Sequence, residues 1–153
     1  MSEPSSAFAD PIGRRFWLLG LTQAAHSIEE MRTGLYDFFW TATGRIQSWA
    51  PGFPRMRMTA GTFAAINMSI IAFLLGVAPF VAARKDWAIT IAWVAAVIET
   101  LNGLGHLAGA VVFGGYVPGA ATAPFLVVAG IGLLRALGRP ARKADPSGRD
   151  VSP

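Results

Sequence analysis

Four stretches of this chain are long and apolar enough to cross a lipid bilayer, and nothing else in the sequence limits its fold as strongly. They cover residues 14–40, 59–83, 87–113 and 119–137. The expected fold class is all-α, a four-helix transmembrane bundle. Hydrophobic residues make up 53% of the 153 residues and charged residues only 14%, a balance foreign to a soluble globule of this size. That length suits one domain, at 14–138, with polar, disordered tails at 1–13 and 139–153. Asp10 and Pro11 suit a helix cap and first turn. Pro118 suits the first turn of the fourth helix, and Pro124 a kink in it. The opening residues carry Glu3 and Asp10 and no base before Arg14, unlike a signal peptide.

The polar remainder excludes several functions. The chain has no cysteine, hence no disulfide framework and no thiolate metal site. Its net charge of +4 comes from short Lys and Arg clusters between apolar runs, with no stacking platform, which argues against nucleic acid. The clusters read as topology signals. Arg14, Arg15, Arg84, Lys85, Arg135, Arg139, Arg142 and Lys143 fall on one side, against Arg45, Arg55 and Arg57 on the other. Both termini are therefore expected in the cytoplasm, with the protein in the plasma (inner) membrane. The connection at 41–58 is expected on the membrane surface. Trp17, Trp40, Trp49 and Trp87 read as interfacial anchors.

The first helix is unusual. Thr22, Gln23, His26, Ser27, Glu29, Glu30, Thr33 and Asp37 project into an arc of roughly 160°, with Leu21, Ile28, Met31 and Leu35 opposite. Each charge at membrane depth costs about 2.5–3.5 kcal/mol, so such a helix is expected to span with its polar arc turned into the bundle. The third helix supplies a matching face: Glu99, Asn102 and His106 at i, i+3 and i+7, interleaved with Ala92, Ala95, Gly103, Gly109 and Ala110. In a four-span chain these two helices run in the same direction. His26 and Glu99 each lie about a dozen residues from a helix start, within ~2 Å of one depth at 1.5 Å per residue. The polar centre is therefore expected between the first and third spans. Asn67, alone on the second, reads as an interhelical hydrogen bond. Arg32 reads as snorkelling, or pairing with Asp37.

His26, Glu29, Glu30, Glu99, Asn102 and His106 form a nitrogen and oxygen ligand set suited to iron, manganese or zinc. A divalent metal would also offset the repulsion among three buried carboxylates. The same groups suit metal-free acid–base catalysis on a lipid-like substrate, or a proton relay in small-solute transport. The working expectation is a membrane enzyme, metal-dependent, taking a small apolar or amphiphilic substrate from the bilayer. His26, Glu29, Glu30, Glu99 and His106 would serve as ligands or acid–base groups, with Asn102 as ligand or orienting donor. Homo-oligomers are compatible with this reading.

His26-Ser27-Ile28-Glu29-Glu30, the later His106, and Tyr116-Val117-Pro118-Gly119 resemble the HXXEE-domain family, defined by a His-x-x-Glu-Glu motif, a second histidine and a Tyr-x-Pro-Gly motif. The resemblance runs from about Phe16 to Leu137. It implies a small multi-pass membrane protein, mostly bacterial, without implying a reaction. Tyr116 to Gly119 also read as a tight turn into the fourth helix.

Overall fold

In the computed structural model, which describes residues 10–139, the first helix begins where the Asp10 carboxylate accepts the Gly13 N–H at 2.7 Å and Pro11 occupies the first turn. This is the cap the sequence predicts. Five helices follow one another: α1 (Pro11–Thr33), α2 (Leu35–Trp49), α3 (Ala60–Ala82), α4 (Asp86–Phe113) and α5 (Ala123–Leu137). The described residues are all-helical, as expected, and of the expected tails only 10–13 and Arg139 fall among them.

Two boundaries differ from expectation. The single helix expected at 14–40 breaks at Gly34, whose left-handed φ of 76° turns its N–H back onto the Glu30 carbonyl and ends α1. Glycine adopts that conformation without a Cβ penalty. The apolar pattern continues through Leu35, Phe38 and Phe39, so periodicity conceals the break. Beyond it, α2 takes up much of the stretch expected as a surface connection. The fourth span starts at Ala123 rather than 119, with Pro124 in its first turn, where a missing N–H is harmless, rather than as a kink.

Packing follows residue size. α4 and α5 make the closest pairing, and α1 lies against α3 and α5. A Cβ on Gly103 would come within 2.8 Å of the Ala123 carbonyl oxygen, and one on Gly130 within 3.0 Å of the Ala96 carbonyl oxygen. These glycines set the α4–α5 distance, whereas Gly105 faces open space. The core collects Phe16 and Leu19 from α1, Leu74, Ala78 and Val81 from α3, Ala88, Ala92 and Ala96 from α4, and Leu126 and Leu133 from α5. At one end, Arg84 pairs with Asp10 at 2.5 Å and the Arg15 guanidinium donates to the Gly132 carbonyl at 2.7 Å. At the other, Trp40 lies under Arg55 at 3.6 Å and Arg57 at 4.3 Å. No ion pair joins Arg32 to Asp37 among the described residues.

α3 and α4 are both long and apolar enough to cross a membrane, and α5 is apolar at 15 residues. Only 28% and 33% of their most apolar windows are buried within the protein. Beyond its first turns, where Ile12, Phe16 and Leu19 join the core, α1 reverses the pattern of a soluble helix. Gln23, His26, Ser27 and Glu30 are buried, while Leu18, Leu21 and Ile28 are 55%, 56% and 47% exposed.

Candidate functional site

The buried part of the α1 polar arc faces the bundle, where Gln23, Ser27, His26 and Glu30 meet other polar groups. Gln23 donates through Nε2 to Ser27 Oγ at 3.1 Å, and Ser27 donates to Asn67 Oδ1 on α3 at 2.6 Å. Asn67 in turn donates to the Phe63 carbonyl at 3.1 Å, so it serves as the interhelical tie its isolation implied. This ladder fixes the rotation of α1 about its axis and aims His26 and Glu30 at α4.

There the helices meet through side chains. Glu30 Oε1 stands 3.0 Å from His106 Nε2 and 3.2 Å from His26 Nε2. The two imidazoles pack edge to face, with centroids 4.7 Å apart and planes at 81°. One ligand atom from each of these three residues lies within 4.8 Å of the others. His26 is fully buried, and its Nε2 has no hydrogen-bond partner despite the nearby carboxylate oxygen. Two nitrogens and one oxygen at such separations are a donor set that iron, manganese or zinc accepts.

Glu29 and Glu30 are adjacent in sequence but point to different partners, because successive residues on a helix are ~100° apart. Glu29 reaches the segment before α5. Its Oε1 accepts the Tyr116 hydroxyl at 2.5 Å and the Ala121 N–H at 3.0 Å. Its Oε2 accepts the Thr122 N–H at 2.8 Å and the Thr122 hydroxyl at 2.5 Å. Burial and the adjacent Glu29 carboxylate push the Tyr116 phenol above its ordinary pKa. Thr122 also contacts His26 Nδ1 at 2.7 Å. Gly119, at φ 91°, presses its backbone on both rings: a Cβ there would come within 2.7 Å of His106 and 3.0 Å of His26. The Tyr-x-Pro-Gly segment is therefore more than a turn; it closes over the cluster.

Glu99 and Asn102 lie one layer away. Asn102 donates to Glu99 Oε2 at a long 3.4 Å, and neither belongs to the three-residue group. Both line a cavity of about 580 Å³ with Gln23, Glu30, Asn67 and His106. Gln23 Oε1 is buried there without a partner. An apolar groove of about 350 Å³ between α3 and α4, walled by Ile70, Phe73, Val94 and Ile98, ends on the same Glu99.

Of the six residues singled out from sequence, the structure brings His26, Glu30 and His106 together, sets Glu99 and Asn102 on the adjoining cavity, and turns Glu29 toward α5. Sequence reasoning missed Thr122, which falls inside the helix expected to start at 119. A threonine two residues before Pro124 is a helix-start signal that would have exposed it.

No curated protein and no solved structure matches the chain. A family model described as a protein of unknown function with HXXEE motif matches residues 17–132, and the chain belongs to that family.

Proposed function

We propose that this is a multi-pass membrane enzyme whose His26, Glu30 and His106 hold a divalent metal, and whose substrate is a small apolar or amphiphilic molecule drawn from the bilayer. One observation carries the metal. A fully buried imidazole nitrogen, His26 Nε2, makes only a poorly aligned contact with the Glu30 carboxylate oxygen 3.2 Å away, with a second imidazole beside it. Buried polar atoms are normally satisfied, and an exception of this kind at a His/Glu cluster fits a site that takes a cation.

The membrane reading rests on the inverted α1, the exposed apolar surfaces of α3 and α4, and the basic residues. Arg84 pairs with Asp10, and Arg15 donates to the Gly132 carbonyl, at the same end of the bundle, which favours both termini on the cytoplasmic side. In this reading α1, α3, α4 and α5 cross, and α2 lies at the far surface with Trp40 and Trp49. The substrate class follows from the cavity: polar groups at its floor, and an apolar groove between two spanning helices running up to Glu99.

The test is elemental analysis of the detergent-purified protein beside a His26→Ala, His106→Ala double variant. Stoichiometric iron, manganese or zinc that disappears in the variant supports the site. Equal metal in both samples, or none in either after growth with ample supply, defeats it. A second reading uses the same contact without metal, because an imidazole beside a carboxylate is also an acid–base pair. It requires activity that survives exhaustive chelation. Flux in proteoliposomes without turnover would favour a transporter.

A further inference from the structure

Glu29 is the motif carboxylate that the three-residue cluster leaves out, and its surroundings give it a different task. Its two oxygens meet four donors. The N–H groups of Ala121 and Thr122 can only donate, so each oxygen of Glu29 already serves as an acceptor. Four donors and no acceptor match an ionised carboxylate, two of them backbone N–H groups in the turn that leads into α5.

That environment decides where the Thr122 proton goes. A hydroxyl has one proton to give. Glu29 Oε2 is 2.5 Å from Thr122 Oγ1, and the competing Gly119 carbonyl is 3.5 Å away. With its proton on Glu29, Thr122 offers only lone pairs to His26 Nδ1, 2.7 Å distant. The contact is attractive only when Nδ1 carries a proton. A neutral imidazole protonated at Nδ1 keeps its lone pair at Nε2, the atom that faces Glu30 and His106 without a hydrogen bond.

We propose that Glu29 and Thr122 are positioning residues that hold His26 as its Nδ1–H tautomer and so present the Nε2 lone pair to the space between Glu30 and His106. The hydrogen bonds run in one direction, from His26 Nδ1 to Thr122 Oγ1 to Glu29 Oε2. What the lone pair is for rests on the metal reading above; the tautomer does not. Imidazoles that bind metals commonly donate their other ring N–H to an oxygen, and loss of such a partner weakens metal binding by about 10–100-fold. Glu29 acts here through Thr122 and does not touch the ion.

The experiment uses the full chain in detergent, labelled with ¹⁵N-histidine and free of metal, in mildly alkaline buffer. Two histidines make the spectrum simple, and a His106→Gln variant assigns it. Wild-type His26 is expected with a pyrrole-type Nδ1 and a pyridine-type Nε2. Thr122→Val removes the acceptor, should shift His26 toward the Nε2–H form, and should weaken zinc binding by about 10–100-fold. Thr122→Ser keeps the hydroxyl and should restore both. An Nε2–H tautomer or an imidazolium in the wild type overturns the proposal, as does Thr122→Val with unchanged tautomer and affinity. If Thr122→Val does not fold, the wild-type spectrum alone decides. An Nδ1–H wild type that binds none of iron, manganese and zinc would defeat the metal reading while leaving this assignment standing.

Discussion

Gly119 lies so close to His106 that a Cβ at this position would come within 2.7 Å of the ring, and within 3.0 Å of His26 as well. One residue of the loop before α5 thus sets the position of both imidazoles. Its φ of 91° adds a second demand for glycine. Gly119→Ala is expected to cost about 1–3 kcal/mol from backbone strain alone and to abolish zinc binding by displacing the rings. Gly105→Ala, where a Cβ meets nothing, is the control: it should keep zinc binding and, as an alanine inside a helix, leave stability equal or raised by about 0.5–1 kcal/mol. Thermal unfolding in detergent and zinc titration of the two variants check this.

Glu30 and Glu99 are both buried carboxylates, but only Glu30 lies with the two histidines. Glu30→Gln is expected to lose metal. Glu99→Gln is expected to keep it, while losing turnover of an amphiphilic substrate, because Glu99 lies where the apolar groove meets the polar cavity. Metal content of the two purified variants separates these outcomes. Loss of metal in both would make Glu99 a fourth ligand.

Close packing of α4 on α5 depends on Gly103, where a Cβ would come within 2.8 Å of the Ala123 carbonyl oxygen. Backbone has little room to yield. Gly103→Ala should destabilise by about 1–3 kcal/mol, as overpacking does, and should weaken zinc binding because Thr122 immediately precedes Ala123. A destabilised variant with wild-type zinc affinity would mean that the start of α5 moves independently of the cluster.

Tyr116 lies between α4 and α5, outside the helices, and donates to Glu29. Its phenol is held above the ordinary tyrosine pKa, by burial first and by the Glu29 carboxylate next. A raised folded-state value means the folded protein prefers the protonated phenol. The stabilisation is therefore complete below the ordinary value and disappears as pH rises through the raised one. On a Tyr36→Phe background, tyrosinate absorbance should report this single group titrating late. Adding Glu29→Gln should bring it back toward the ordinary value.

Much of the helical content was legible because it depends on local chemistry. Asp10 and Pro11 cap a helix wherever they occur, and the apolar runs of α3 and α4 read directly as spans. The inward turn of the α1 polar arc followed from the cost of charge in an apolar surround. The break at Gly34 was not legible, since the apolar spacing continues unbroken across it and only a backbone dihedral marks the change. The start of α5 at Ala123 is hidden because Pro118 offers an earlier, equally local signal.

The site divides in the same way. That His26 and Glu30 share a face of one helix, and Glu99, Asn102 and His106 a face of another, follows from residue spacing alone, since helical geometry is set by residue number. Which of these groups meet depends on how the helices pack. Rotation of α1, held by Ser27 and Asn67, puts Glu30 between the imidazoles and directs Glu29 to the N–H groups before α5. Two neighbouring glutamates thereby receive opposite assignments. That choice depends on which distant group lies within 3.0 Å of each carboxylate, backbone N–H for Glu29 and an imidazole for Glu30, and residue spacing within a helix carries no information about it.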